Sequence, residues 1–246
     1  MKCILICAGY ATRLFPLTKN FPKALIEVGE RPILDYILDK VNELDEVDSI
    51  YVVTNNKYYN HFVDWNESKN NIKPIKILND HTMSNDDRLG AIGDIWYTIE
   101  QEDINDDILV IAGDNLFDYS LTGVIDYYKE KQGAVVCTKV CKDINLLKAF
   151  AVATVDEDNK ILELEEKPEN PKSNIAVYAT YVYPKSVIKL IKEYLEEGNK
   201  PDAPGYLVQY LYKKMDVYTY NFIGNCFDVG THESLKEVNK LYKKKD

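Results

Sequence analysis

Apolar runs alternate with amphipathic stretches through the first half of the chain. Four short runs rich in Val, Ile and Leu have the length and composition of buried strands. They lie at residues 2–8, 49–54, 75–79 and 107–112. Between them, apolar positions recur at helical spacing, which predicts three helices. These cover residues 32–44, 58–65 and 88–100. The alternation predicts consecutive βαβ units around a largely parallel sheet.

The pattern becomes β-rich beyond Asp114. Alternating apolar and polar residues predict five further strands, with a hairpin turn at residues 156–159. These strands lie at residues 132–139, 149–155, 161–164, 175–183 and 217–222. Three more helices are predicted at residues 184–196, at residues 205–213 and from about Thr231. A smaller β-rich part is therefore expected beside the parallel sheet.

Length and charge limit the classes of function. A chain of 246 residues can bury the core of one compact α/β domain. The net charge of −10 argues against nucleic acid and against an anionic membrane as partners, because neither attracts an acidic surface. A small anionic ligand would need a local cluster of cations. The arginines are Arg13, Arg31 and Arg88.

The cysteines favour a reducing compartment. Their number, five, is odd, and they form no CxxC pair and have no neighbouring histidine cluster. Neither a disulfide framework nor a zinc site is therefore expected. The sequence also shows no leader pattern and no long hydrophobic span, so we expect a soluble, cytoplasmic protein without a membrane partner.

Three segments carry candidate chemistry at the ends of apolar runs. The first strand breaks into a Gly/Ala/Thr turn at residues 8–12, followed by Arg13 and Lys23, which favours a phosphate site at the carboxyl edge of a sheet. Asp114 and Asp228 also follow apolar runs and could share a hard divalent cation. Either aspartate could instead close a turn or cap a helix.

Four motifs together resemble a known family. Residues 8–25 follow the signature G-G-x-G-T-R-L-x-P-L-T-x-x-x-P-K-x-L of the nucleotidyltransferases that join a nucleoside triphosphate to a sugar 1-phosphate. Glucose-1-phosphate thymidylyltransferases and uridylyltransferases belong to this family. Three later matches follow in the same order, namely Gly113-Asp114-Asn115, Glu165-Glu166-Lys167-Pro168 and Asp228-Val229-Gly230-Thr231. The resemblance thus covers nearly the whole chain.

This resemblance implies a fold and a domain organisation. The expected fold is α/β, a Rossmann-like, mixed and mainly parallel sheet flanked by helices, with a smaller β-rich substrate lobe. Residues 1–246 would form a single nucleotidyltransferase domain, with a nucleotide-binding half at 1–115 and a sugar-phosphate-binding half at 116–246. No C-terminal β-helix domain is expected, so any homo-oligomer would form through the globular domain itself.

The resemblance also implies site residues and a cofactor. Arg13 would bind the departing pyrophosphate and Lys23 the α-phosphate, while Asp114 and Asp228 would hold Mg²⁺ between the two substrates. The expected nucleotide-binding residues are Ala8, Gly9, Tyr10, Ala11, Thr12, Arg13, Lys23, Gly90 and Asp114. The expected sugar-phosphate-binding residues are Asn115, Ala151, Glu166, Lys167 and Tyr181, with Lys167 on the phosphate and Glu166 on sugar hydroxyls.

Two departures from the family pattern concern small residues. Ala8 and Ala11 stand where the signature has glycine, and we expect the loop to keep its turn because alanine is small. Ala151 and Ala179 stand where many relatives have glycine, and their methyl groups would reshape the sugar pocket.

The sequence favours one reaction and leaves alternatives open. It predicts Mg²⁺-dependent transfer of a nucleoside monophosphate to a sugar 1-phosphate, with dTTP or UTP and glucose 1-phosphate as the leading pair. One alternative is a CTP-dependent cytidylyltransferase acting on a sugar phosphate or on phosphocholine. A second is a regulatory subunit that binds nucleotides or nucleotide sugars without catalysis. A dinucleotide oxidoreductase is disfavoured because no G-x-G-x-x-G follows the first strand.

Overall fold

The computed structural model describes residues 1–243, which form thirteen strands and eight helices. The strands are β1 (Lys2–Ile6), β2 (Glu27–Val28), β3 (Arg31–Pro32), β4 (Ser49–Thr54), β5 (Ile75–Asn79), β6 (Ile108–Ala112), β7 (Asn115–Phe117), β8 (Ala134–Val140), β9 (Ala151–Val155), β10 (Ile161–Glu166), β11 (Ile175–Tyr183), β12 (Val217–Asn221) and β13 (Cys226–Asp228). The helices are α1 (Ile33–Asn42), α2 (Tyr59–Glu67), α3 (Ala91–Gln101), α4 (Leu121–Lys131), α5 (Ile144–Leu147), α6 (Val187–Glu196), α7 (Pro204–Leu211) and α8 (His232–Tyr242).

The chain divides into two compact units that alternate along the sequence. Unit 1 holds Met1–Arg88, Ile111–Tyr119 and the described residues from Gly224 onward, and unit 2 holds Leu89–Val110 and Ser120–Ile223. The predicted halves follow chain order, whereas these units do not. The assignment of the whole chain to one working domain stays a prediction.

In unit 1, the strands β1, β4 and β5 lie parallel. β1 pairs with β4 from Lys2 opposite Ser49 onward, and β4 pairs in turn with β5. The middle of β1 is fully buried, and α1 buries the apolar face formed by Ile33, Leu34, Ile37 and Val41. Because parallel strands direct their carboxyl ends to one edge, the loop that follows β1 begins at that edge.

A short antiparallel pair brings distant parts of the chain together within unit 1. β7 pairs with β13, which places Asn115 opposite Asp228 and Leu116 opposite Phe227. The residue before β7 is Asp114. The two acidic motifs therefore lie side by side although more than a hundred residues separate them in the sequence.

Unit 2 is built mainly of antiparallel strands. β11 pairs with β8 and β9, β9 pairs with β10, and β12 runs parallel to β8. The predicted hairpin at residues 156–159 is the turn between β9 and β10, where the Asp156 side chain accepts hydrogen bonds from the backbone of Asp158 and Lys160. The predicted α/β class, with parallel strands followed by a β-rich part, is confirmed.

Helices α3 and α4 both differ from the sequence-based prediction, and the short elements β2, β3, β7, β13 and α5 were not predicted either. Helix α3 begins at Ala91 and not at Arg88, because Gly90 has a φ of 79°, which ends any helix that would extend through it. Helix α4 was not predicted, although Ser120 caps it by accepting a hydrogen bond from the Thr122 N–H. Its apolar residues recur at helical spacing, at Leu121, Val124, Ile125 and Tyr128.

Neither a membrane span nor a disulfide is found in the part of the chain that the structure describes. No helix there combines the length and the apolar character needed to cross a bilayer. No disulfide joins any of the five cysteines, and Cys3, Cys7 and Cys137 are buried. The expectation of thiols outside any disulfide framework, most of them buried, is confirmed.

Candidate active site

Gly113 joins the ends of two strands in unit 1. It follows β6 directly, and its N–H donates to the carbonyl oxygen of Ile6 at 2.9 Å. A Cβ atom at this position would overlap the sulfur of Cys7 and would lie 3.3 Å from the Ile6 oxygen. Glycine is therefore required for this close approach, and it places Asp114 at the edge where β1 ends.

Lys23 lies between the two acidic candidates. Its Nζ is 2.9 Å from Oδ2 of Asp114 and 2.9 Å from Oδ1 of Asp228. The lysine side chain is 8% exposed, whereas the two carboxylates are 43% and 45% exposed. The structure thus brings Lys23, Asp114 and Asp228 together, and the two carboxylate oxygens can be no farther apart than twice the lysine distance.

The two carboxylates keep Lys23 charged despite its burial. Burial is the largest single influence and by itself lowers the pKa of Lys23. The attraction of Asp114 and Asp228, together with their hydrogen bonds to Nζ, outweighs burial and raises the pKa of Lys23 above its ordinary value. The ammonium form is therefore stable between the carboxylates.

The pair of carboxylates fits a magnesium site shared with substrate. Mg²⁺ is commonly held by one or two carboxylates plus substrate phosphates and water, and not by an all-protein cage. Asp114 and Asp228 converge on one cation and keep open faces toward solvent. Within residues 1–243, no group of three or more His, Cys, Asp or Glu side chains could hold a metal. These two residues would hold the ion.

Arg13 lies near the same carboxylates. It belongs to a 3₁₀ turn, Thr12–Leu14, and is exposed. A Cβ atom added to Gly230 would lie 3.1 Å from Oδ2 of Asp228 and 3.3 Å from Nη2 of Arg13. The guanidinium and the Asp228 carboxylate thus both lie beside Gly230, where the opening turn and the last motif meet.

The opening loop adopts a tight turn although alanines replace two glycines of the signature. Ala11 has φ and ψ of 45°, the left-handed conformation that glycine usually takes. Gly9 has open space where a Cβ would be, so packing does not require glycine there. Tyr10 buries its ring, with its hydroxyl 3.3 Å from Oγ1 of Thr82. Ala8 is buried as well, and Thr12 is exposed.

A buried hydrogen-bond network holds this loop, and the sequence analysis missed it. Asn55 donates to the Ala8 carbonyl at 2.8 Å and accepts from the Tyr58 N–H at 3.1 Å. The Tyr58 hydroxyl donates to the Thr18 carbonyl at 2.6 Å, and the Thr18 hydroxyl donates to the Ala11 carbonyl at 2.7 Å. Asn55, Tyr58 and Thr18 are fully buried. Each of these polar residues is buried, and a buried polar side chain needs a hydrogen-bond partner. A polar residue within an apolar stretch of the sequence is the signal that could have identified them.

In unit 2, Glu166 and Lys167 lie where β10 ends. Strand alternation buries Glu166 to 7% exposure and leaves Glu165 exposed. Burial raises the pKa of the Glu166 carboxyl, and Lys167 opposes this shift weakly from 3.8 Å. Lys167 has a φ of 50°, and its N–H donates to the Phe150 carbonyl at 3.1 Å. This left-handed conformation strains the backbone of a non-glycine residue, so the surrounding structure must hold the turn in place.

Gly205 makes room for Glu166 and was not predicted as a site residue. It lies in the first turn of α7, where a Cβ atom would overlap Oε2 of Glu166 and would lie 2.9 Å from the Cβ of Ala151. Ala151 is also the β9 residue opposite Glu166 in the strand register. The Glu166 carboxylate therefore lies against the first turn of α7.

The remaining candidates take different positions. Tyr181 is buried in unit 2, stacked on Tyr183 with ring centres 5.7 Å apart. Asn115 is buried in unit 1 within β7. Gly90 belongs to unit 2, where a Cβ would lie 2.7 Å from the carbonyl of Pro201. Close packing within unit 2 explains why glycine stands at this position. The approach of Gly90 to a nucleobase stays a prediction.

Comparison with known proteins identifies the class to which the chain belongs. Residues 2–245 match the model of a family described as nucleotidyl transferase. The chain is a member of the nucleotidyl transferase family, as the motifs predicted.

Individual relatives agree with this membership. The chain is 33% identical over 242 residues to the bifunctional protein GlmU of Methanocaldococcus jannaschii, covering 98% of this chain and 54% of that protein. It is 29% identical over 256 residues to the glucose-1-phosphate adenylyltransferase of Clostridium novyi, covering 97% and 66%. The chain thus spans between about half and two thirds of the length of these relatives.

A solved structure shows the same fold. A crystal structure of UDP-glucose pyrophosphorylase complexed with UDP-glucose superposes with a TM-score of 0.84, covering 100% of this chain and 99% of that chain. The sequence identity is 22%, so this likeness concerns the fold alone. The predicted fold, a mixed and mostly parallel sheet flanked by helices, is confirmed.

Proposed function

We propose that this chain transfers a nucleoside monophosphate from a nucleoside triphosphate to a sugar 1-phosphate and releases pyrophosphate. Family membership supports the reaction class. The observation that carries the proposal is the convergence of Lys23, Asp114 and Asp228 on one point, with both Nζ–carboxylate distances at 2.9 Å. Three segments far apart in the sequence supply these side chains, and the two carboxylates stay 43% and 45% exposed.

The residues present suit a reaction that needs no general base. A sugar phosphate is already an ionised nucleophile at neutral pH, so acceleration comes from positioning and from charge neutralisation. Arg13 would bind the β- and γ-phosphates that leave as pyrophosphate. Lys23 would neutralise the α-phosphate as negative charge develops on it. Backbone N–H groups of the turn at residues 8–12 would orient the triphosphate.

Asp114 and Asp228 would hold a magnesium ion. The ion would supply charge neutralisation between the α-phosphate and the attacking phosphate, which otherwise repel each other. The aspartates contribute by converging from two motifs and by leaving their outer faces open to substrate oxygens.

Glu166 and Lys167 would bind the acceptor. The buried Glu166 carboxylate can accept hydrogen bonds from sugar hydroxyls, and the Lys167 ammonium can pair with the sugar phosphate. Asn115, Ala151 and Tyr181 would complete the sugar-phosphate site. Gly90 would approach the nucleobase. We propose dTTP or UTP as the nucleotide, and glucose 1-phosphate as the acceptor, which the adenylyltransferase relative supports through its name. A cytoplasmic location stays a prediction.

A product screen tests this proposal. Purified protein is incubated with magnesium and with each pairing of dTTP, UTP, ATP, GTP or CTP with glucose 1-phosphate, other sugar 1-phosphates and phosphocholine. Pyrophosphate is measured, and the nucleotide product is identified by mass spectrometry. We expect one nucleotide-sugar pairing to dominate.

The other outcomes are equally informative. Product formed only from CTP and phosphocholine would replace the proposed acceptor. Nucleotide binding without pyrophosphate from any pairing would contradict catalysis and indicate a regulatory subunit.

A further inference from the structure

Lys23 has one set of partners in the structure, the two carboxylates, and a second set by the proposed function, the nucleotide phosphates. The proposed reaction needs its ammonium group at the nucleotide α-phosphate. In the structure that group is instead hydrogen-bonded to both Asp114 and Asp228, at 2.9 Å each. A magnesium ion held by the same two side chains would compete with the Lys23 ammonium for their negative charge. Movement of Lys23 to the nucleotide phosphates, an exchange of partners, would remove that competition.

The charges at this point favour such an exchange. Two carboxylates and one ammonium carry a net charge of −1, which the Arg13 guanidinium beside Asp228 offsets in part. A divalent cation attracts the two carboxylates more strongly than a monovalent ammonium does. Lys23 thus reduces the repulsion between the two aspartates. The carboxylates still attract a cation of higher charge. The half-exposed carboxylates give an ion a route from solvent.

The exchange needs movement of one side chain only. The Lys23 carbonyl accepts a hydrogen bond from the Ile26 N–H at 3.0 Å within the 3₁₀ turn Lys23–Leu25. Ala24 and Leu25 are buried, so the backbone of this turn is fixed. The four-carbon stem of lysine can rotate about its own bonds to carry Nζ away from the carboxylates.

We propose that Lys23 is an exchangeable cation of the metal site, holding Asp114 and Asp228 together before metal binds and moving to the nucleotide phosphates afterwards. This inference rests on the proposed function, since it takes the two aspartates as the metal ligands. It adds a second role to Lys23, namely competition with the metal. Metal binding and the availability of Lys23 for phosphate are then coupled.

The coupling predicts the sign of a mutational effect. If Lys23 competes for the carboxylates, its removal should tighten metal binding in the absence of nucleotide. If Lys23 only contacts phosphate, its removal should leave that affinity unchanged. The competing contact is part-buried, with Lys23 itself 8% exposed, so we expect Lys23→Met to bind Mn²⁺ about tenfold more tightly than the parent.

The experiment measures Mn²⁺ affinity of the nucleotide-free protein by calorimetry and by electron paramagnetic resonance. The variants are Lys23→Met, Lys23→Arg and Asp114→Asn. The control is Lys40→Met, which removes the same charge from an exposed ion pair with Glu43 in the same unit. Circular dichroism and denaturant unfolding check that each variant is folded.

The Mn²⁺ affinities of the variants distinguish the exchange by Lys23 from the metal role of Asp114. Tighter binding by Lys23→Met, near-parental binding by Lys23→Arg and Lys40→Met, and weaker binding by Asp114→Asn would support the exchange. Parental or weaker binding by Lys23→Met, with binding lost in Asp114→Asn, would overturn the exchange and leave the metal role of Asp114 intact. Unchanged binding in all variants would overturn both.

A second readout uses the unmodified chain and does not depend on the folding of a variant. Lys23 is 8% exposed and ion-paired, so it should react slowly with an amine-acylating reagent. Added Mn²⁺ should increase its modification severalfold, as measured by peptide mass spectrometry, while modification of Lys40 stays constant. Modification of Lys23 that does not respond to saturating metal would contradict the proposal.

Discussion

At the scale of single residues, Ala11 stands out because its backbone is strained. Its φ and ψ of 45° cost an L-residue about 1 kcal/mol relative to glycine. The Thr18 hydroxyl bonds to its carbonyl and helps to hold this conformation. The loop thus keeps the shape expected of a glycine-rich signature, and Thr18 and Tyr58 help to compensate for the alanine.

Replacement of Ala11 tests this strain. Glycine relieves the strain but makes the unfolded chain more flexible, so Ala11→Gly should leave the free energy of unfolding equal or up to about 1 kcal/mol higher. Valine cannot take the left-handed region without clashes, so Ala11→Val should lower that free energy by about 2 kcal/mol. Urea unfolding measures both values. A clear loss of stability in Ala11→Gly would show that the backbone of Ala11 is not strained.

Tyr58 illustrates how one buried hydroxyl supports the loop. In Tyr58→Phe the Thr18 carbonyl loses its partner inside the protein, which should cost about 1–2 kcal/mol of unfolding free energy. The nucleotide KM should also rise severalfold because the turn loosens. The matched control is Tyr59→Phe, since the Tyr59 hydroxyl makes no hydrogen bond among the described residues. Equal effects of the two substitutions would show that the network does not support the loop.

Glu166 should make stability depend on pH. Burial raises its pKa above the ordinary 4.5, with Lys167 opposing, so between the two values the folded protein binds more protons than the unfolded chain. Its contribution to the free energy of unfolding therefore falls as the pH rises through that interval. Glu166→Gln removes the ionisable carboxyl and with it the free-energy cost of burying its charge.

The expected stability gain of Glu166→Gln is about 1 kcal/mol at neutral pH, shrinking as the pH falls toward and below the ordinary pKa. Urea unfolding of parent and variant across this pH range measures the difference. A gain that is the same at acidic and neutral pH would rule out the buried carboxylate as its cause.

At the scale of elements, the first turn of α7 shapes the acceptor site through Gly205. Gly205→Ala should push the Glu166 carboxylate away, because the new methyl group would overlap Oε2. We expect the sugar-phosphate KM to rise more than about tenfold and the nucleotide KM to change little. The reason is that Glu166 is proposed to bind the sugar phosphate and not the nucleotide. Steady-state kinetics with each substrate varied in turn measures this. A matching rise in both KM values would indicate general damage instead.

Periodicity predicted most elements because their burial follows regular spacing. β4 and β5 have the predicted bounds, since the apolar residues of each strand give way to a polar residue at its end, Thr54 and Asn79. The start of α3 was not predictable in the same way, because it depends on how closely Gly90 approaches Pro201, which is over a hundred residues away. The short pair of β7 and β13 likewise forms through tertiary pairing and not through local pattern.

At the scale of the whole molecule, the motifs located the chemistry but not its arrangement. The resemblance identified Arg13, Lys23, Asp114 and Asp228 because these residues stand within the family's signatures and follow in the same order along the chain. It did not reveal that Lys23 lies between the aspartates, because spacing along the chain does not specify which side chains meet. Asn55 and Gly205 belong to no motif. Their supporting roles follow only from their contacts in the structure, with Ala8 and with Glu166.

The central claim is that the meeting point of Asp114, Asp228 and Lys23 carries out nucleotidyl transfer. The most direct test compares pyrophosphate release by the parent and by Asp114→Asn, using the substrate pair that the screen identifies. We expect kcat to fall by at least about a hundredfold, with the free energy of unfolding changed by less than about 1 kcal/mol. A folded variant whose turnover stays within about tenfold of the parent would contradict the claim.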